Sequence, residues 1–393
     1  MPGRSIALSV KPELLYWARI SMGLEITKVA GKVKVLDSIL KSWESGETKP
    51  TLVQAEKLAN IYKRPLAVFF LPTPPKEPDA PKDFRVLPAD QTKILSYETR
   101  IAIRRSWRLQ TITIELLKSL NLRRKLGITE VRKSNDPEVF ATTVRKLLKV
   151  SIDEQRKWKD SYYALKCWKK KVEMLGVSVY QFSMPLEETR GFSLSSSEAP
   201  AIVLNTRDAV NAMSFSLFHE LCHLLMDTSG LCDMEMREGG LEKEVIFIEK
   251  FCNHFAGALL VPLPALKEHE TVCSTNQARK WSDAELGKLA LDFKVSQEVI
   301  LRRLLILGLA TEAFYLNKRE QWVRRGPKKK KGGWVIPSVK CVSENGVPFI
   351  SLVLDSYAGG KIPYADIADY LGIRAKHIPK VIGLISEGIY AER

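Results

Sequence analysis

At 393 residues the chain is long enough for two or three domains, each burying its own core. A hydrophobic content of 45% with 27% charged residues excludes a disordered chain. The formal net charge of +16 points to an acidic partner, nucleic acid being the commonest, or to solvated basic helix faces joined by a basic linker.

Met1 to Trp17 lacks the apolar core of a signal peptide, and no later run reaches spanning length. Even Ile300 to Ala310 is broken by Arg302-Arg303, so a cytoplasmic protein without membrane contact is expected. The six cysteines, at positions 167, 222, 232, 252, 273 and 341, show no C-x-x-C spacing. Buried free thiols are expected rather than a disulfide framework or a four-cysteine metal site.

The overall expectation is an α+β fold, mainly helical, with a small antiparallel sheet beside the helix that carries the chemistry, plus helix-turn-helix bundles. Residues 1–71 read as short helices. Pro12 to Met22 carries Leu14, Leu15, Ala18 and Ile20 and is stopped by Gly23; Leu24 to Val33 keeps helical spacing. Asp37 is a candidate N-cap for the helix ended by Gly46, and Thr51 for the helix with Leu52, Ala55, Leu58 and Ala59. Ser42-Trp43-Glu44-Ser45-Gly46, followed by Pro50-Thr51 and Lys57-Leu58-Ala59, resembles the Xre/Cro-type helix-turn-helix domain. In that family the helix before the W-E-x-G turn enters the major groove, which implies Ser38 and Lys41 as candidate DNA contacts. The family's glycine turn between the second and third helices is replaced by Val33-Lys34-Val35. DNA binding and a retained fold used for protein contacts both stand.

Six prolines between Pro72 and Pro88 mark residues 72–95 as an extended linker. A basic helical stretch follows: residues 96–175 hold 20 Lys or Arg against 9 Asp or Glu. Trp107, Trp158 and Trp168 lie within it, as core residues or as a stacking surface for bases. The period then changes to two. Gly176 to Phe182, Arg190 to Leu194 and Ala199 to Asn205 read as three strands.

The helical run Ser214 to Met226 contains His219-Glu220-Leu221-Cys222-His223. Positions i and i+4 share a helix face, so both imidazoles can reach one ion, with Glu220 about 100° round the helix. A catalytic zinc ion (Zn2+) takes three protein ligands and leaves a position for water, so a third ligand is needed. On the next helix Glu249 and Asn253 share a face: Glu249 is the candidate third ligand, and Asn253 would hydrogen-bond a ligand from behind. His254 competes as ligand, or flanks the cleft as a substrate or oxyanion contact. Glu220, pointing away from the ligand positions, is the candidate general base and then acid.

Arg190-Gly191-Phe192-Ser193, Pro200 to Asn205, Phe218 to Leu225, and Glu249 with Cys252-Asn253-His254-Phe255-Ala256 and Leu259 to Pro262 resemble the ImmA/IrrE family of metallopeptidases. Cys222 stands where the family commonly has glycine. The resemblance implies a bacterial or phage regulator that cleaves a partner protein, a helix-turn-helix repressor. The settings it implies are stress response, mobile-element control or toxin-antitoxin systems. The alternative is a DNA-binding or antitoxin-type regulator with a structural or inactive metal site.

These readings divide the chain into a peptidase domain at 96–265, a helix-turn-helix-like subdomain at 266–318, a basic linker at 319–333 and a small module at 334–393. Arg302 and Arg303 in the second of these would contact phosphate or face solvent. The last module, with Phe349 to Leu354 as strand or helix, would dock or form a homo-oligomer.

Overall fold

The computed structural model describes residues 7–76, 95–123, 126–130, 134–227, 240–325 and 336–386. The chain divides into two compact units, Met1–Arg105 and Ser106–Arg393. The α+β reading holds, with helices dominating a three-stranded sheet.

The first unit contains α1 (Pro12–Ser21), α2 (Ile26–Val33), α3 (Asp37–Ser45) and α4 (Leu52–Tyr62), and takes the start of α5 (Tyr97–Ser119). Their apolar faces meet around Leu14, Leu15, Leu40, Trp43, Leu58 and Phe69. Inside this core Arg19 holds both oxygens of Glu44 at 2.8 Å and donates to the Leu24 carbonyl at 3.0 Å, which ties α1 to α3. Thr51 caps α4 in a reciprocal pair with Gln54. Asp37 is the first helical residue of α3, and Leu36 occupies the N-cap without a side-chain bond. The turn after α2 has no glycine because Lys34 itself takes the left-handed conformation, φ +69°. That position costs an L-residue about 1 kcal/mol.

In the second unit α6 (Pro137–Leu148), α7 (Ile152–Lys157) and α8 (Ser161–Met174) precede β1 (Ser178–Phe182), β2 (Gly191–Leu194) and β3 (Ala201–Asn205). The sheet order is β1-β3-β2. β2 and β3 are antiparallel, but β1 and β3 run parallel, Ser178 opposite Ala201 and Phe182 opposite Asn205. The sheet is therefore mixed, not antiparallel as expected. Strand β2 is an edge, and the loop before it is held by Asn205, whose amide donates to the carbonyls of Met184 and Thr189 at 2.9 and 2.8 Å.

The long helices α9 (Val210–Asp227) and α10 (Gly240–Leu260) follow. α9 packs on α8 through the edge of Trp168 against Phe218, ring centres 4.9 Å apart, and Trp158 meets Trp168 in the same way. Those two tryptophans are core, as one of the two readings had it. α6 packs on α10 through Phe140, Phe251 and Phe255.

Then come α11 (Leu263–Lys267), α12 (Asp283–Phe293), α13 (Gln297–Ile306) and α14 (Glu312–Arg325). α12 starts at a Ser282–Glu285 capping box. Helix α14 extends through Arg319–Arg325, into the stretch read from sequence as linker. The carboxyl-terminal helices are α15 (Pro337–Asn345), α16 (Val347–Ala358), α17 (Tyr364–Leu371) and α18 (Ile378–Ser386). Phe349 to Leu354 lies in α16 and is helical. No helix among the described residues is long and apolar enough to cross a membrane.

Candidate metal centre

Helices α9 and α10 bring together the three predicted ligands. The Nε2 atoms of His219 and His223 lie 3.0 Å apart, and each is 3.4 Å from a different oxygen of Glu249. Among the described residues this is the cluster of three metal-ligating side chains, all their donor atoms within 4.8 Å of one another. Ligands about 2.0–2.2 Å from a common ion sit roughly 3–3.5 Å apart in a tetrahedral arrangement, and the distances of the two imidazoles from each other and from their nearer Glu249 oxygens match that spacing.

The electrostatics fit a cation as well. Burial opposes the charged form of His223, yet hydrogen bonds to Cys252 and Glu249 hold its pKa up at about 12. Burial raises the Glu249 carboxyl, but the two imidazoles outweigh it and hold the pKa far below the usual range. The His223 imidazole and the Glu249 carboxylate thus hold each other charged, and a metal ion binding there would displace the imidazole proton. Burial pushes the Cys252 thiol well up, reinforced by Cys222. Both cysteines are fully buried core residues, and neither belongs to the cluster of three.

Glu220, only 5% exposed, belongs to α9 beside His219. Its stem lies against Gly191, the first residue of β2. The side chain thus starts beside the sheet edge. Asn253 makes no hydrogen bond to the three ligands, and His219 Nδ1 is buried without a hydrogen-bond partner among the described residues. The structure places His254 elsewhere: its Nε2 is 2.6 Å from Glu138 Oε1 at the start of α6. Glu138 also accepts two bonds from Arg303 of α13, at 2.5 and 2.9 Å. Arg303 is wholly buried, so it neither faces solvent nor offers itself to phosphate. Burial alone would raise the Glu138 carboxyl, but His254 and Arg303 bring it down to about 2.

The far end of α10 shows what this network does. The last carbonyls of a helix lack partners within it. Here Arg145 of α6 donates to Leu259 O at 2.7 Å, Gln155 of α7 to Leu260 O at 3.0 Å, and Arg303 of α13 to Val261 O at 2.9 Å. Three helices thereby fix the axis and rotation of the helix that presents Glu249. None of these contacts was visible in sequence, because each joins residues 42 to 114 positions apart with no periodic signal.

Ser38 and Lys41, the candidate DNA contacts, are both exposed on α3, beside exposed Leu36 and Ile39.

An α+β fold carrying two histidines and a glutamate on packed helices, with a buried glutamate next to the first histidine, defines a metallopeptidase-type domain. Residues 172–305 match the Peptidase_M78 family model, the IrrE N-terminal-like domain, a span from the end of α8 nearly to the end of α13 that contains all four of these residues. The match supports a metallopeptidase of the ImmA/IrrE family. No curated protein matches the chain.

Proposed function

We propose that the second unit is a zinc-dependent endopeptidase that cleaves a partner protein, a helix-turn-helix repressor, and so controls transcription. The reading is carried by the His219–His223–Glu249 cluster, with Glu220 next to His219 and its stem beside the edge strand β2. The two-nitrogen, one-carboxylate donor set suits zinc. A bound zinc ion would supply Lewis acidity at the scissile carbonyl and ease deprotonation of water.

The chain's own residues do the rest. Glu220 takes the proton of the attacking water and hands it to the leaving amine. An extended substrate segment would pair with the edge strand β2 by main-chain hydrogen bonds. A purely structural metal would require no carboxylate at position 220.

The test is Glu220→Gln with zinc content and cleavage measured together on a candidate repressor. Retained zinc with lost cleavage is expected. Cleavage at the wild-type rate would end the proposal, as would a wild-type protein that takes up no zinc.

For the first unit we propose partner recognition by a helix-turn-helix fold. Leu36 is 73% exposed and Ile39 39% exposed, flanking Ser38, and such apolar surface suits a protein face better than base edges. Binding of duplex DNA that weakens steeply with salt would instead assign Ser38 and Lys41 to phosphate contacts.

A further inference from the structure

A cleft of about 780 Å³ opens in the second unit beside α8. Its walls come from α8, the end of β1, Met213 of α9, and the carboxyl-terminal helices α15, α16 and α18. Neither the lysine-bearing face of α8 nor any carboxyl-terminal helix falls within the matched segment 172–305.

The lining is divided by chemistry. Met174, Met213, Val342, Val347 and Ile385 give it an apolar wall. Lys159, Lys166, Lys169 and Lys170 line it as well, with Asp160 and Glu173. The Asp160 carboxylate is engaged in capping α8, where it accepts from the Tyr163 backbone N–H at 2.8 Å. The balance within an otherwise apolar cleft is positive.

Between the two halves lies a polar floor. Lys169 Nζ donates to Gln181 Oε1 at 3.0 Å, and Ser343 Oγ is 2.8 Å from the same oxygen. The Lys169 ammonium is partly buried with a neutral amide as its hydrogen-bond acceptor. Burial lowers its pKa, against the opposing pull of Glu173. Four lysines line the cleft against the carboxylates of Asp160 and Glu173, so its net charge favours an anion.

The start of α16 adds to this field. Gly346, Val347 and Pro348 line the cleft at the amino-terminal end of a 12-residue helix, where the helix dipole is positive. Gly346 sits at φ +75°, and a Cβ there would lie 3.0 Å from Val179 O and 3.1 Å from Glu173 Oε1. That close approach seats the helix end against β1 and α8.

We propose that this cleft binds a small amphiphilic anion, a carboxylate or phosphate on an apolar chain or ring. The head group lies among Lys169, Ser343 and the start of α16, and the tail lies on Met213, Val342 and Ile385. The volume falls within the range of small-molecule sites. Met213 is six residues before His219 on the same helix, so the occupant touches the helix that carries two of the metal-binding residues. A role as effector of cleavage rests on the peptidase reading; the binding site itself does not.

The experiment uses the full chain with 13C-methyl-labelled methionine, titrated with decanoate, decyl phosphate and decyltrimethylammonium below their micelle concentrations. The expected result is a saturable shift of the Met174 and Met213 methyl resonances with one of the anions. Calorimetry should show single-site binding, about tenfold tighter or more than for the cation. Lys169→Met should weaken the anion about fivefold or more, and Ser343→Leu should weaken it from the opposite wall. Tighter binding of decanoate assigns a carboxylate ligand; tighter binding of decyl phosphate assigns a phosphate monoester. The proposal is overturned if neither anion moves those resonances, if the cation binds as tightly, or if both folded variants keep the wild-type Kd. Absence of zinc uptake or cleavage leaves these readouts unchanged, so the two readings fail separately.

Discussion

Glu220 borders the space a side chain at Gly191 would fill: a Cβ there would lie 3.6 Å from Glu220 Cγ and 2.8 Å from the Val203 carbonyl oxygen. The second distance is too short for any side chain, and the opposing atom is backbone of the paired strand. Gly191→Ala is therefore expected to push β2 away from β3 or from α9, costing about 1–3 kcal/mol. Cleavage should fall more than global stability does, because the displaced strand borders Glu220. Parallel measurement of denaturant midpoint and cleavage rate checks this, and an alanine variant with wild-type cleavage would separate β2 from the site.

Zinc binding should appear in stability without any assay of activity. An ion that binds only the folded state adds about 2.7 kcal/mol at a free concentration a hundred times its Kd. Thermal unfolding with and without a chelator should show the difference in the wild type. His223→Ala should abolish it, because one of the triangle's three corners is gone.

The half-buried Glu138 predicts a pH dependence. Its pKa falls from 4.5 to about 2 in the fold, a carboxylate stabilised by His254 and Arg303 against burial. A depressed folded-state pKa gives stability that is complete above the unfolded value and is lost as pH falls through the folded one. The window is thus pH 4.5 down to about 2, and the contribution is on the order of 3 kcal/mol. Urea unfolding across that window should show the wild type losing more stability than Glu138→Gln, which starts lower and changes less.

Lys34 offers the opposite sign. It is a non-glycine residue at φ +69°, ending α2 in the left-handed conformation. Lys34→Gly should stabilise the first unit by up to about 1 kcal/mol, through relief of that strain set against the greater freedom of glycine in the unfolded chain. A lower midpoint in the glycine variant would show that the strain is absorbed elsewhere.

The metal triangle was legible in sequence because each part of it is local. The helical period puts His219 and His223 on one face of α9, and an apolar run marks α10, which carries Glu249. The start of α4, set by the capping side chain of Thr51, was legible for the same reason.

Other features depended on chain segments meeting at a distance. Three short strands can be read from alternation, but their order and direction cannot; parallel pairing of β1 with β3 follows from how the chain passes over the core. The partners of Arg303 lie 42 and 165 residues away, and only packing shows that this arginine is buried at the end of α10. His254, one residue from the ligand face, looked like a site residue until Glu138 was found beside it. Sequence alone thus determined which residues can bind the metal, since helical periodicity is a property of neighbours. Tertiary structure alone decided what holds them in place, since the groups that satisfy a helix end or line a cleft are drawn together by burial from anywhere in the chain.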